Sequence, residues 1–421
     1  MTRAGALTLS RAWDVCDRLT SSIAAARPDL APLEAAGDLR RGEPLVRSIV
    51  LVGSADDPAN AIESIAALFE SQYIRERSAV GIAGLYERAS VDIRIASPDE
   101  YGNVLFSATG SAAHVDTVVR RGLRGGPFAT EAQLYASIGL PFIPPELRHG
   151  VDELDAASAN QLPSLVDVDD MRGDFHMHTL YSDGRDSVAT MIAGCHALGY
   201  EYMALTDHSS GAMAARTLAY DEIAQQRDEI DALRDRFPGL TILHGVEVDI
   251  RADGGLDFPD ETLASFDIVL ASLHEHHGHD PQRLTARSLA AIRHPLVNIL
   301  CHPANRAVGH SEGYALDFDA LYDAAAEHGT ALEIDGAPMH MDLDGERARA
   351  AAAAGVTLTV DSDCHRVEVL GRQMRFGVGL ARRGWIGPDQ VLNSRPLDQV
   401  RAFIAAKRRG RPLHGRAPGQ W

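Results

Sequence analysis

The sequence has almost no lysine. Of 421 residues only Lys407 carries an ammonium side chain. Schiff-base chemistry, or a phosphate loop built on a lysine elsewhere in the chain, is therefore excluded. Cysteine is nearly as scarce: Cys16, Cys195, Cys301 and Cys364 lie too far apart to suggest a disulfide framework, which implies a reduced, cytoplasmic protein. No stretch approaches the roughly 18 uninterrupted apolar residues of a membrane span, and the opening MTRAGALTLSRAWDVCDRL lacks the apolar centre of a secretion signal. Positive charge is outnumbered, and the formal net charge of −19 opposes tight sequence-independent binding to a polyanion. Histidine is rare at first, with only His114 and His149 before residue 176, whereas fifteen of the 18 fall between His176 and His365. The chemistry is expected beyond a boundary near residue 172.

From residue 173 the chain alternates short apolar runs with helix-like segments. The runs are GDFHMH, YEYMALTDH, TILHGVEVDI, FDIVLASLH, LVNILCH, TALEIDG and VTLTVDSDCH, seven in all. Between them stand stretches such as SVATMIAGCHALG and FDALYDAAAEHG, the second ending in the glycine typical of a helix C-terminus. This alternation reads as an α/β architecture with a parallel sheet buried on both faces. Seven units fit a closed or nearly closed barrel, with a doubly wound sheet as the alternative. The first part reads as a small α/β or α+β unit: LSRAWDVCDRLTSSIAAA and AIESIAALFESQ as helices, VRSIVLVGS and VDIRIAS as strands. A Pro-rich acidic connector is expected at 151–172, and a basic disordered tail at 406–421.

Histidine or a carboxylate stands at the C-terminal end of almost every apolar run. That edge is where the active sites of parallel α/β folds assemble. His176 and His178 are two apart on a strand and share a face, so both can grip one ion. Asp183, His208, Glu247, His274, His302, Asp363 and His365 join them from the other strand ends, which makes nine N/O donors. Nine are too many for one ion and suit two or three, bridged by carboxylates. Mixed histidine and carboxylate donors favour Zn, Mn or Fe. Such a cluster activates water and neutralises a phosphoryl group, so hydrolysis of a phosphoester is the natural reaction. Arg306, four residues after His302, is a candidate phosphate clamp. His276, His277 and His279 read as a solvated loop, while His196, His244, His294 and His328 read as structural. Cys301 and Cys364 are expected to face away from the neighbouring donors, as adjacent strand residues do.

The motifs HMHTLYSDG, LTDHS, GVEVDI, ASLH, CHP and DSDCH resemble those of the PHP (polymerase and histidinol phosphatase) superfamily. The resemblance covers about residues 172 to 405, and all nine metal-binding positions have the residue type the family uses. It implies a distorted (β/α)7 barrel with a di- or trinuclear metal centre. GYEYMALTDHS, LGRQMRFGVGLARRGWIGPDQVLN and LYASIGLPFIPPELR narrow the resemblance to the PHP module of bacterial family-X DNA polymerases. That implies a manganese-dependent 3′-5′ exonuclease with related phosphodiesterase activities. Residues 1–150 then resemble a degenerate polymerase palm and thumb: GDLRRGEPLVRSIVLV matches the palm segment, VDIRIA the strand of its third aspartate (Asp92), and ATGS its nucleotide-pocket turn.

The departures from that pattern are informative. Ser48 and Val50 stand where the palm has two metal-binding aspartates, and Asp38 where a serine would meet a triphosphate. The lysine-bearing lyase region that precedes the palm in the family has no counterpart among these residues, and lyase activity is not expected. Arg40 and Arg41 are read as relics or surface contacts. Within the barrel, Asp335 replaces an asparagine, His340 an arginine and Ser210 a lysine. Polymerase activity is expected to be lost and the barrel to remain, with His208 and His365 as acid/base candidates. The substrate is expected to be a DNA 3′ end, with a small phosphomonoester of the histidinol-phosphatase type as the alternative. A non-catalytic pseudo-polymerase accessory to DNA repair is the reading from another class. No organic cofactor is expected.

Overall fold

Buried and half-exposed residues alternate along ASVDIRIA, the two-residue period of a strand with one face on a core. It is the last strand in chain order of the first unit's five-stranded sheet, which comprises β1 (Glu34–Ala36), β2 (Ile49–Ser54), β3 (Ile74–Arg77), β4 (Gly81–Tyr86) and β5 (Ala89–Ala96). Their spatial order is β1-β2-β5-β4-β3, and only β2 and β5 run parallel. The helix Leu9–Ala26 buries Leu9, Ala12, Cys16, Leu19 and Ile23, the three- and four-residue spacing of one helical face.

The computed structural model describes residues 5–409 except 29, 31, 213 and 275–279. It divides into two units, Met1–Pro163 with Val308–His310, and Ser164–Ala307 with Ser311–Trp421. Of the connector expected at 151–172, Glu153–Ser158 is helical, and the division falls after Pro163. No helix among the described residues is long and apolar enough to cross a membrane.

All seven apolar runs of the second unit form strands: β6 (Gly173–Asp174), β7 (Tyr202–Leu205), β8 (Thr241–Asp249), β9 (Ile268–Ser272), β10 (Ile299–Leu300), β11 (Ala331–Asp335) and β12 (Leu358–Asp361). They pair in sequential order and in parallel. Beyond β6 and β12 a parallel bridge joins Met177 to Cys364, and the His178 amide donates to the Cys364 carbonyl at 2.9 Å. This seam makes the sheet a nearly closed barrel and rules out a doubly wound sheet.

Between strands the helices obey their local signals. Ser187 caps Val188–Ala197 by accepting from the Thr190 amide. Phe318–His328 stops at Gly329, whose φ of 65° is the left-handed conformation that glycine adopts freely. Tyr202, Leu243, Ile268, Ile299 and Ala331, at or near their strand starts, form one buried cluster with Val400, Phe403 and Ile404. These last three lie on the helix Leu397–Arg408, which thereby packs against the barrel end opposite the polar strand tips. Residues 406–408 of the tail expected at 406–421 are helical, held by this apolar packing; residues 410–421 lie outside the described part.

Candidate metal centre

The C-terminal ends of the barrel strands bring all nine expected donors to one place. Each belongs to at least one group whose donor atoms lie within 4.8 Å of one another: His176, Glu247 and His302 with Cys301; His178, Asp183, His208 and His365; His176, His178 and Asp363; His208, Glu247 and His274. Every such group among the described residues lies in the barrel. His276, His277 and His279 fall outside the described residues.

Glu247, fully buried on β8, is the hub. Its Oε2 lies 2.5 Å from His208 Nδ1, 3.5 Å from His176 Nε2 and 3.7 Å from His178 Nε2. Its Oε1 lies 2.9 Å from His302 Nε2 and 3.8 Å from His274 Nε2. Asp363 Oδ1 stands 3.0 Å from His178 Nε2, 3.6 Å from His176 Nε2 and 3.7 Å from His365 Nδ1. Asp183 Oδ1 stands 3.2 Å from His365 Nε2 and 3.6 Å from His208 Nε2. Donors about 2.1 Å from a common ion are separated by about 3.0 to 3.4 Å, and most of these spacings approach such polyhedron edges. His176 Nε2, His208 Nδ1, Glu247 Oε2 and Asp183 Oδ1 are buried without a hydrogen-bond partner. Buried polar atoms seldom go unmatched, and four pointed into one cluster fit shared divalent cations.

The charges agree with this. Burial would raise Glu247 and Asp363, yet His208 and His176 hold Glu247, and His176 with its neighbours holds Asp363, well below the usual carboxylate range. Asp183 is likewise lowered to about 2, against its own burial, by His365 and His208. Burial would depress His176, but Glu333, Asp363 and Glu247 push it well above the usual range. His178 is lowered to about 3 by burial and by the rings of His208 and His365, each stacked 4.2 Å from its own. Anionic carboxylates in a dry cluster demand positive charge. These residues could hold divalent cations, which would supply that charge and leave the imidazoles neutral, the form in which they ligate.

Local backbone sets these directions. His302 and Asp363 have φ of 28° and 47°, a region where non-glycine residues are strained and which recurs at functional sites. In the loop carrying Asp183, a Cβ on Gly184 would lie 2.5 Å from the His178 carbonyl oxygen, so only glycine permits the close turn. Asp207 fastens the same loop, accepting from the amides of Thr179 at 2.7 Å and Ser182 at 3.1 Å and from both hydroxyls. Gln226 donates to Asp207 at 2.6 Å and meets His244 Nε2 at 2.9 Å, so His244 is a buried structural group.

Sequence reading missed the groups behind the donors. Glu333 Oε1 lies 2.7 Å from His176 Nδ1, and Asp249 Oδ1 lies 2.9 Å from His274 Nδ1. Such carboxylates fix the imidazole tautomer and orientation. Their signal was in GVEVDI and ALEID, where acids recur two residues apart on one strand face. The expectation for Cys301 is corrected. β10 ends at Leu300 and the left-handed turn at His302 breaks strand alternation, so Cys301 Sγ lies 3.5 Å from Glu247 Oε1. Cys364 donates to the Arg366 carbonyl at 2.7 Å. Arg306 joins none of the donor groups. Its Nη1 donates to the Met341 carbonyl at 3.2 Å and lies 3.6 Å from Asp344 Oδ2.

In the first unit the palm-like positions carry no chelating set. Val50 is paired with Asp92 across β2 and β5, Ser48 donates to the Ser90 carbonyl at 3.2 Å, and Arg94 holds Asp92 at 2.6 Å. Arg40 bonds Thr109, Glu131 and Glu34, and the buried Arg41 pairs with Asp38 at 2.5 Å. Both arginines are internal ties.

A model of the PHP domain matches residues 174–334. The DNA polymerase/3′-5′ exonuclease PolX of Bacillus subtilis (strain 168) is 35% identical over 391 residues, covering 88% of this chain and 68% of that protein. A "Probable phosphatase" of Thermoanaerobacter sp. (strain X514) is 30% identical over 247 residues, 56% of this chain and 95% of its own. The solved structure of HisK from Listeria monocytogenes aligns at a TM-score of 0.40 and 16% identity, over 48% of this chain and 97% of its own. With the barrel, its donor cluster and an alignment that runs through both units, the chain belongs to the PHP superfamily, in the PolX group of PHP-bearing family-X polymerases.

Proposed function

We propose that the chain is a metal-dependent phosphoesterase that hydrolyses phosphodiesters with 3′-5′ exonuclease-type action on DNA, and that it does not polymerise. The carrying observation is Glu247, a buried carboxylate with its two oxygens turned toward different histidines, backed by a full set of nine donors. His176, His178, Asp183, His208, Glu247, His274, His302, Asp363 and His365 would hold two or three ions of Mn, Zn or Fe. Divalent ions there supply Lewis acidity toward phosphoryl oxygens and acidify a water.

The chain's own groups do the rest. Glu333 and Asp249 fix the rings of His176 and His274. His365 and Asp183, with about a third and a quarter of their side chains exposed, form the rim that substrate meets first. Burial opposes the charge on His365, but Asp183 raises it to about 9 in the metal-free cluster; with ions held it would ligate as the neutral imidazole, and its part at the leaving oxygen would be to orient a water that carries the proton. His208, between Asp183 and Glu247, is the second candidate for that transfer. Ser48, Val50 and the arginine-bound Asp92 support loss of nucleotidyl transfer, which needs paired carboxylates for two Mg²⁺. Similarity to PolX through both units favours DNA as the substrate.

A second reading, a small-molecule phosphomonoesterase, rests on His340. It stands where the family has an arginine and lies against His302, ring centroids 5.5 Å apart, so one substrate-side cation is lost. Manganese-loaded protein assayed on 5′-labelled single-stranded DNA, alongside a panel of phosphomonoesters, decides between them. Stepwise shortening of the DNA is expected. Turnover of monoesters alone would favour the second reading, and no turnover with metal bound would favour a non-catalytic accessory.

A further inference from the structure

Cys301 is absent from the donor set that the strand-end pattern defines, yet its sulfur lies inside that set. It is fully buried, its Sγ lies 3.5 Å from Glu247 Oε1 and 3.2 Å from the Ala271 carbonyl oxygen, and His302 Nε2 approaches the same Glu247 oxygen at 2.9 Å. The sulfur and one donor atom each of His176, Glu247 and His302 lie within 4.8 Å of one another. His176 meets Glu333 through Nδ1, so Nε2 is the atom it offers, and Nε2 and Glu247 Oε2 are both buried without a hydrogen-bond partner. Two nitrogens, an oxygen and a sulfur make a mixed four-donor site. With metal–sulfur and metal–oxygen bonds of about 2.3 and 2.1 Å, a tetrahedral S···O edge is about 3.6 Å.

We propose that Cys301 is a tenth ligand, a thiolate that completes the His176–Glu247–His302 position and biases it toward zinc over manganese. The proposal rests on the metal-centre reading above. On binding, the S–H bond breaks, its electron pair goes to the ion, and the proton leaves to solvent; no oxidant or reductant is consumed. A soft thiolate strengthens binding of Zn²⁺ or Co²⁺ more than of Mn²⁺, whose preferred donors are harder oxygens. The left-handed backbone at His302 makes this possible by turning two consecutive residues toward Glu247.

Metal-stripped full-length protein is titrated with Co²⁺ and followed by near-ultraviolet absorption and elemental analysis. A sulfur-to-cobalt charge-transfer band is expected in the wild type and in Cys364→Ser, and no such band in Cys301→Ser. The variant should still take up metal through its remaining donors, with its preference for Zn²⁺ over Mn²⁺ reduced about tenfold or more. Zinc-edge X-ray absorption on the wild type should show a sulfur shell at about 2.3 Å, which decides the matter even if the variant does not fold. Cobalt bound without the band, or zinc bound without sulfur, overturns the thiolate and leaves the metal centre standing. No uptake of either ion overturns both.

Discussion

Glu333 spans two histidines of the candidate metal centre: one oxygen lies 2.7 Å from His176 Nδ1, and the other accepts the His302 amide at 2.7 Å. It therefore sets a ring on one strand end and a backbone on another. Burial raises its pKa to about 7, with His176 acting in the opposite direction. Replacing Glu333 with glutamine keeps the shape but removes the negative charge that makes His176 a strong donor. Metal affinity should fall about 10- to 100-fold. Competition with a calibrated chelator measures this, and unchanged affinity would show that His176 is oriented by its packing alone.

The Asp183 loop hangs on Asp207, and Asp207 leans on Gln226. Gln226→Leu keeps the volume but takes away the 2.6 Å hydrogen bond to Asp207 and the partner of His244. A cost of about 1–3 kcal/mol is expected from the groups left unsatisfied. Hydrogen exchange should quicken at the Thr179 and Ser182 amides, and protein purified in excess metal should carry less than the wild-type amount. Normal protection of those amides would place the loop's support elsewhere.

Val50 is part of the first unit's packing, set against Ala36, Val52, Leu105 and Ala108. Val50→Asp restores the residue type of a polymerase palm but places a charge in that apolar setting, across from Asp92. Urea denaturation should show a loss of about 1–3 kcal/mol. Even Ser48→Asp combined with Val50→Asp should give no primer extension in Mg²⁺, because Arg94 already occupies Asp92. Primer extension by the wild-type chain would contradict the proposed loss.

The only lysine is buried, donating to the Ile292 carbonyl at 2.7 Å, and burial lowers its pKa from 10.5 to about 8. Between those values the unfolded chain binds more protons than the folded one, so stability rises with pH; below about 8 the penalty is fully present. Relative to Lys407→Met, the wild type should gain up to about 3 kcal/mol between pH 7 and 10.5 in paired urea melts. A pH-independent difference would show that Lys407 stays solvated in the folded protein.

Much of this was legible in the sequence because it is local. Strand–helix alternation needs only short windows, and a parallel sheet places the residue after each run at the same rim, so His208 and His302 could be assigned without coordinates. What escaped depends on tertiary approach or on unusual backbone. Glu333 looks like an ordinary strand acid until His176 arrives from the first strand. Cys301 was assigned to the wrong face because nothing in ILCHP announces a left-handed residue at His302. Arg306 reads as a clamp by spacing, and its contacts with the Met341 carbonyl and Asp344 were not legible there. The helix Leu397–Arg408 was partly hidden by its basic neighbours, although Val400, Phe403 and Ile404 repeat at helical spacing.

The Met177–Cys364 seam has a temporal consequence. His176 and His178 come from the first strand end, and Asp363 and His365 from the last, nearly two hundred residues later. On the ribosome the early histidines emerge long before the carboxylate that is to lie 3.0 Å from His178. Until residue 365 has been made, the nascent chain holds only a fragment of the donor set, and an ion held through Asp363 or His365 would mark a barrel that has shut.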